Sequence, residues 1–445
     1  MTTSDALAPS PAAGDLFPEA DCFTIYRRIR AGVPADAQQL GQGYNRYPPA
    51  PGLLAALQQA LTQLFATGRF EQYSCAADDD ERALFAMLLG RRLGRPDLAA
   101  DDVVFTNGGS EAISVLTGGL AAAGLSLALP IPNYYVYEQA ALRHRVPVIA
   151  RYRADWPARL PASDAAVVTV LPNGVTGELA PAGPGPRPGF EVLDIIYQLA
   201  GESGTDLLSQ EITSRAGGLD LERGALILTP SKDLSLAAFR AGALVTRHPV
   251  VRSFAERDRH ERTFTVSPLV ARICIVYLSA CLLYNQLRVA GAGGFDSELA
   301  WLTAGYAEFG VPLLLDRESW WLMVTHLESM TAHLQQMSAV LGEYADILDP
   351  ASVRARVAGY SVFPRLNVAP LTSQALVEWV NCCGVGSRLK LNPTVLFGGT
   401  TRSWDELFPG EARIRLNLSV PAAELHRCLA VLRERIRRRP PPERN

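Results

Sequence analysis

Lys232 and Arg240 stand eight residues apart in Thr229-Pro-Ser-Lys-Asp-Leu-Ser-Leu-Ala-Ala-Phe-Arg-Ala-Gly242, with the Thr229 and Ser231 hydroxyls just ahead of the lysine. A lysine amine forms a Schiff base with a carbonyl once its pKa is depressed, and a guanidinium grips phosphate through its planar fork. Together these groups suit a phosphorylated aldehyde. The alternative is a surface lysine beside a structural arginine.

Three further segments sit where turns follow strands. Asn107-Gly108-Gly109-Ser110-Glu111 lets the backbone approach an anion at a helix start, where amides and dipole both favour negative charge. Ser110 is expected there as N-cap and phosphate donor. Tyr134 in Pro132-Asn-Tyr-Tyr-Val-Tyr137 is an aromatic beyond a strand end and able to stack on a planar ring, or to pack in a core. Asn173-Gly-Val-Thr-Gly177 makes another tight turn at the carboxyl edge of the sheet, where open α/β sheets bind ligands.

The elements that must hold these turns read as follows. Helical apolar spacing occupies Leu53–Leu61 and Arg82–Leu89. Strands are expected at 102–106, 125–130, 146–151, 166–171, near 206–212 and at 224–229, and helices start at Ser110, at Tyr134 and over 190–202. A Pro/Gly-rich loop fills 178–189. Valine-, leucine- and isoleucine-rich strands alternating with helices predict an α/β fold with a mainly parallel sheet covered on both faces. Long helices near 296–309 and 318–341, short strands near 360–368 and 412–418, and a last helix from Ala422 predict a smaller α+β domain. The expected organisation is a disordered lead-in (1–20), an N-terminal arm (21–48), a large α/β domain (49–294), a small C-terminal α+β domain (295–432) and a basic, proline-rich tail (433–445).

The 445 residues are 48% apolar and 20% charged, and 42 basic against 45 acidic side chains leave a net charge of −3. This balance gives no general electrostatic reason to bind nucleic acid or a membrane. No signal peptide is visible at the start. The apolar stretch Ala271–Tyr284 contains Arg272 and reads as a core helix too short to span a bilayer. Seven scattered cysteines (Cys22, Cys75, Cys274, Cys281, Cys382, Cys383, Cys428) fit neither a metal site nor a disulfide framework. Reduced thiols of a cytoplasmic protein are the expectation.

In order and spacing these motifs resemble the fold-type I pyridoxal-phosphate enzymes, the aspartate-aminotransferase-like superfamily of class I and II aminotransferases, over about residues 40–432. The resemblance implies a seven-stranded large-domain sheet, pyridoxal 5'-phosphate as cofactor, an internal aldimine at Lys232, amino-acid and keto-acid substrates, and a homodimer with a shared active site. Asn45-Arg-Tyr-Pro resembles the family's N-terminal Asn-x-x-Pro-like segment. By the same likeness, Gly108, Gly109, Ser110, Thr229, Ser231 and Arg240 hold the phosphate, together with Tyr73 of the partner subunit, and Tyr134 stacks on the ring. Arg415 in Arg413-Ile-Arg-Leu-Asn-Leu-Ser419 matches the arginine for the substrate α-carboxylate, with Arg413 as the other choice.

Three ring contacts depart from the pattern. Where family members carry Asp-Glu-x-Tyr after a strand, the best match is Ser209-Gln210-Glu211-Ile212-Thr213, placing Gln210 at the pyridine nitrogen and Thr213 at the phenolic oxygen. Asn173 stands one residue early for the asparagine that also meets that oxygen. A neutral amide cannot hold the ring proton as a carboxylate does, which opens lyase, decarboxylase or related chemistry as an alternative to aminotransfer. The other reading is a shifted register, with Asp206 or Glu211 in the role. A non-catalytic scaffold of this fold is a third possibility. Arg257, Arg259, His260 and Arg262 form either a solvated helix face or a cluster that crosses to a substrate's distal carboxylate. Trp320-Trp321 either line the entrance or pack in the core.

Overall fold

The computed structural model describes residues 22–68, 79–153, 165–179, 189–195, 197–199, 205–262, 266–312 and 315–438. The lead-in, Tyr73, Cys75, most of the Pro/Gly-rich loop and the end of the tail lie outside these residues.

The chain begins with helix α1 (Cys22–Arg30), a two-residue strand β1 (Gln38–Gln39) and helix α2 (Leu53–Ala66). In α2 the buried residues are Leu53, Ala56, Leu57, Ala60 and Leu64, the i, i+3, i+4 stripe of a helix lying on a core. Helix α3 (Asp79–Leu93) opens on Asp79, Asp80 and Glu81 and closes on Arg91 and Arg92, charges that complement its dipole. There follow β2 (Val103–Thr106), α4 (Gly109–Ala122), β3 (Ser126–Ile131), α5 (Val136–His144), β4 (Val148–Arg153), β5 (Ala165–Val170), β6 (Phe190–Ile195), α6 (Thr205–Gly217), β7 (Gly224–Leu228), β8 (Gly242–Val245) and α7 (Pro249–Arg262).

The seven strands β2 to β8 form one sheet in the order β2-β8-β7-β6-β5-β3-β4. Only β8 runs antiparallel to its neighbours. The central strands are apolar on both faces because each face is covered. One side packs on α4, α5 and α7 through Val104, Ile113, Leu116, Val168 and Val251, the other on α3 and the long helices that follow, through Phe85, Phe105, Leu193 and Leu226.

Two expected elements change type. Residues 190–195 are a strand rather than the start of a helix, and 205–217 are a helix rather than a strand. Leu208, Ile212 and Ala216 are each fully buried while Gln210 and Ser214 between them are exposed, which fits the helical period and not the alternation of a strand. The six apolar-rich residues from Phe190 to Ile195 instead slot between β5 and β7.

Beyond the sheet, α8 (Pro268–Glu308) is capped by Ser267 with Pro268 at its first position, and bends at Gly291, where φ is 65°. It is longer than the expected core segment, and long and apolar enough to cross a membrane, but 83% of its most apolar window is buried inside the protein. Within it Arg272 pairs with Glu81 of α3 at 3.0 Å. Then come α9 (Arg317–Gly342), α10 (Pro350–Arg354), β9 (Ser361–Val362), α11 (Ser373–Ser387), β10 (Leu389–Lys390), β11 (Asn392–Pro393), α12 (Thr401–Leu407), β12 (Ile414–Asn417) and α13 (Ala422–Arg438). Strands β11, β12 and β9 make a small antiparallel sheet, while β1 pairs with β10 and ties the N-terminal arm to this part of the chain. Trp320 is fully buried and Trp321 packs edge-on against Phe295 at 5.1 Å, so both tryptophans serve packing.

Candidate active site

Strands β2, β3, β5, β6 and β7 point the same way, so the turns that follow them share one sheet edge. Strand β8 runs oppositely, and the residues entering it, Arg240 among them, arrive at that edge too. A cavity of about 510 Å³ opens there, lined by Gly109, Ser110, Tyr134, Thr229, Ser231, Lys232, Arg240 and Arg415 among others. These are eight of the residues the sequence singled out.

The β2–α4 turn is shaped for an anion. Gly108 has φ 82° and no side chain, and a Cβ there would stand 2.7 Å from Arg240 Nη2. Helix α4 begins at Gly109 with Gly108 as its N-cap and no side-chain cap. Ser110 is therefore not the expected N-cap; its Oγ lies 3.1 Å from the Tyr134 hydroxyl and accepts from Arg240 Nη2 at 3.4 Å. With Thr229 Oγ1 and Ser231 Oγ 2.7 Å apart and both nearly buried, the cradle combines a helix N-terminus, three hydroxyls and a guanidinium.

Lys232 Nζ donates to the Gly43 carbonyl, and Asn45 Nδ2 donates to the Lys232 carbonyl at 2.9 Å. Burial, then the charges of Arg415 and Arg240, lower the ammonium to about 8. Such an amine has a substantial neutral fraction near neutral pH.

Arg415 stands on β12 opposite Asn392. Its Nε and Nη2 donate to the Gly41 carbonyl at 3.1 and 2.8 Å, and its guanidinium lies 4.5 Å from the Phe397 ring centroid. A Cβ on Gly43 would meet Arg415 Nη2 at 2.7 Å, so this glycine leaves the guanidinium its place. Burial lowers Arg415 to about 10. Arg413 instead donates to Glu411 at 2.6 Å and does not line the cavity.

The expected ring contacts need correction. Gln210 is exposed on α6 and Thr213 Oγ1 accepts from Arg92 Nη1 at 2.9 Å; neither lines the cavity. The helix that carries them packs behind the sheet, so neither reaches its carboxyl edge. Glu211, the shifted-register candidate, is on the same helix beside Arg215, and the Asp206 side chain lies outside the described residues. Asn173 lies beneath the cavity: its amide donates to Pro132 O at 2.8 Å, and its Oδ1 accepts from the Val175 and Thr176 amides at 2.9 and 3.1 Å. It braces the turn, leaving Gly174 and Val175 on the surface.

Asp194 and Tyr197, overlooked in the sequence, line the cavity at the end of β6. Asp194 is buried, its Oδ2 accepts from the Tyr137 hydroxyl at 2.8 Å, and burial raises its carboxyl to about 7. Tyr197 donates to Gly174 O at 3.3 Å. The signal was present: Asp194-Ile-Ile-Tyr197 has the Asp-x-x-Tyr order sought at 208–213, and it directly follows a short apolar run bounded by a Pro/Gly loop. The Arg257–Arg262 cluster lies on α7, where Arg262 bonds Asp258, and none of its residues lines this cavity. Cys22 also lines it, its Sγ accepting from Gln139 Nε2 at 3.9 Å, and among the described residues no group of His, Cys, Asp and Glu side chains could hold a metal ion.

No protein-family model matches the chain, and no curated protein sequence does. Solved structures do match its fold. The aspartate aminotransferase of Thermotoga maritima is 14% identical, with a TM-score of 0.62 over 93% of this chain and 95% of its own. Substrate-bound BacF of Bacillus subtilis is 14% identical, with a TM-score of 0.66 over 96% and 98%. A probable N-succinyldiaminopimelate aminotransferase of Thermus thermophilus is 17% identical, with a TM-score of 0.62 over 93% and 98%.

Proposed function

We propose that this chain, which has the aspartate-aminotransferase-like fold, is a pyridoxal-phosphate-dependent enzyme that moves an amino group between an amino acid and a keto acid. The observation that carries the reading is the convergence of Lys232, Asp194, Arg415 and the Ser110–Arg240 cradle on one cavity. Its donor set fits the cofactor's three chemical parts: an anion site for the phosphate, a carboxyl for the ring nitrogen and a lysine amine for the aldehyde.

When bound, pyridoxal phosphate supplies an electron sink for the carbanion formed at the substrate's α-carbon. The protein's residues do the rest. Gly108, Gly109, Ser110, Thr229, Ser231 and Arg240 would hold the phosphate, and the partner subunit's Tyr73 would complete that set in a homodimer. Asp194 would face the ring nitrogen, its charge there keeping a proton on the ring. Tyr197 would meet the phenolic oxygen, and Tyr134 would cover the ring face. Arg415 would grip the α-carboxylate through its fork and so orient the bond to be broken. Lys232 would hold the cofactor's aldehyde and would serve as the general base and acid that takes the substrate's α-proton and returns it.

The lyase or decarboxylase alternative drew on Gln210 at the ring. With Gln210 exposed on α6 and Asp194 in the cavity, that reason falls away, and aminotransfer is the better supported reaction. The test is direct. Protein reconstituted with pyridoxal phosphate should gain an absorbance band near the visible edge, lost in Lys232→Ala, with borohydride trapping the adduct on the peptide carrying Lys232. Incubation with amino acids should then form pyridoxamine phosphate, reversed by keto acids. A colourless protein supports a scaffold; release of ammonia or carbon dioxide without pyridoxamine phosphate supports the alternative chemistry.

A further inference from the structure

The cavity's charged lining is fully assigned once the cofactor and one carboxylate are in place. Lys232, Arg240, Arg415 and Asp194 are its only charged residues among those described. Arg240 belongs to the Ser110 turn, Asp194 is held at depth by Tyr137, and Arg415 answers a single carboxylate. Nothing charged in this lining remains for a substrate's side chain.

What remains is mostly aromatic and apolar, the side-chain amides of Asn133 and Asn392 donating to the Pro130 and Gly41 carbonyls. Apart from Tyr134, which covers the cofactor ring, Tyr26, Tyr44, Tyr135, Leu396 and Phe397 line the same cavity. Tyr26 and Tyr44 are 46% and 45% exposed, whereas most large apolar side chains of the described residues are buried. Burial pushes the Tyr135 phenol up to about 12, so it contributes a neutral wall. Another cation, Arg30, stands behind that wall: its Nη2 donates to Asn392 Oδ1 at 2.6 Å, its Nη1 to Leu391 O at 3.2 Å, and its guanidinium lies 5.2 Å from the Tyr26 ring centroid. It is absent from the lining and acts as a strut that sets the ring, the contact being a cation–π one.

We propose that the substrate is an α-amino acid whose only carboxylate is the one at Arg415 and whose side chain is apolar, best an aromatic ring seated against Tyr26 and Tyr44. This rests on the aminotransferase reading above. Rings offer area and favourable edge-to-face geometry to an aromatic guest. A second carboxylate in the same place would lose its water without gaining a counter-charge, which is strongly unfavourable.

The experiment uses the reconstituted holoprotein and non-reacting carboxylates, read by calorimetry. We expect 3-phenylpropionate to bind at least about tenfold more tightly than succinate, the discrimination a well-fitted apolar pocket provides. Tyr26→Ala and Tyr44→Ala, at half-exposed positions, should each weaken 3-phenylpropionate by about tenfold while moving propionate by less than about threefold. Succinate binding as tightly as 3-phenylpropionate, as it would if a second copy brought a cation into the cavity, overturns the proposal. So do two tyrosine variants that leave 3-phenylpropionate unchanged. A protein without the Lys232-dependent band fails at the earlier reading; one with a normal band and the opposite preference fails only here.

Discussion

Burial and the guanidinium groups of Arg415 and Arg240 hold the Lys232 ammonium at about 8, so the free amine that attacks a carbonyl appears as pH rises through that value. An ordinary lysine would still be almost wholly charged. In the apo protein the rate of covalent capture of pyridoxal phosphate should therefore rise with pH and level off above about 8. Arg415→Gln removes one of the charges that lowers the group, so its midpoint should move to higher pH. A capture rate flat between about pH 6 and 9 would contradict this assignment. Asp194 carries the opposite sign. Its folded-state value of about 7 lies above the carboxylate norm, so the stability it contributes is present in acid and is lost as pH rises through about 7. Asp194→Asn has no proton to lose. In apo protein the variant's advantage in urea midpoint over the parent should be small at pH 4 and grow to an equivalent of up to about 4 kcal/mol by pH 8. An advantage that does not change with pH would show that the carboxyl does not titrate in this range.

The cradle is a property of a turn rather than of any one side chain. Gly108 has a positive φ that L side chains rarely adopt, and its missing Cβ leaves room for Arg240. Gly108→Ala should combine backbone strain of about 1 kcal/mol with displacement of the guanidinium. Pyridoxal phosphate affinity should fall by about tenfold or more, while affinity for pyridoxal, which lacks the phosphate, should barely change. Equal losses for both ligands would mean that the turn supports the fold and not the anion. The strand-then-turn order of β2, β3, β5 and β7 was readable because each strand is a short, mainly apolar run with Gly, Pro or Asn in the turn that follows. The stretch from Phe190 to Leu199 was not. Its mainly apolar composition, interrupted by Glu191, Asp194 and Gln198, suits a helix and a doubly covered strand equally well, and only the seat of residues 190–195 between β5 and β7 decides. That single ambiguity displaced Asp194 and Tyr197 and put Gln210 and Thr213 in their place. β9 and β12 fall within the strands expected near 360–368 and 412–418, whereas β11, two residues long and opposite Arg415, carries too few residues for any period to emerge.

Asp233, next to Lys232, ties the site to the rest of the molecule. Its buried carboxyl accepts from the Gln198 amide at 2.8 Å, from the Tyr277 hydroxyl of α8 at 2.6 Å and from the Tyr360 hydroxyl beside β9 at 2.6 Å. The lysine turn is thus fastened at once to the end of β6, to the core helix and to the small sheet, and the rings of Tyr360 and Tyr197 meet edge-on at 5.1 Å. Burial raises Asp233 while these three donors oppose the rise; they are what makes a carboxyl tolerable there. Tyr277→Phe and Tyr360→Phe each delete one bond to that carboxyl, and each should lower the urea unfolding free energy by about 1.5–3 kcal/mol. The two bonds go to the two oxygens of one carboxyl, so the double variant should differ from the sum of the singles by about 0.5 kcal/mol or more. Tyr360→Phe should also slow capture of pyridoxal phosphate by Lys232, since it frees the lysine turn from the small sheet, whereas a purely structural bond would leave that rate unchanged. Additive losses with an unaltered capture rate would separate Asp233 from the site and leave it a packing residue alone.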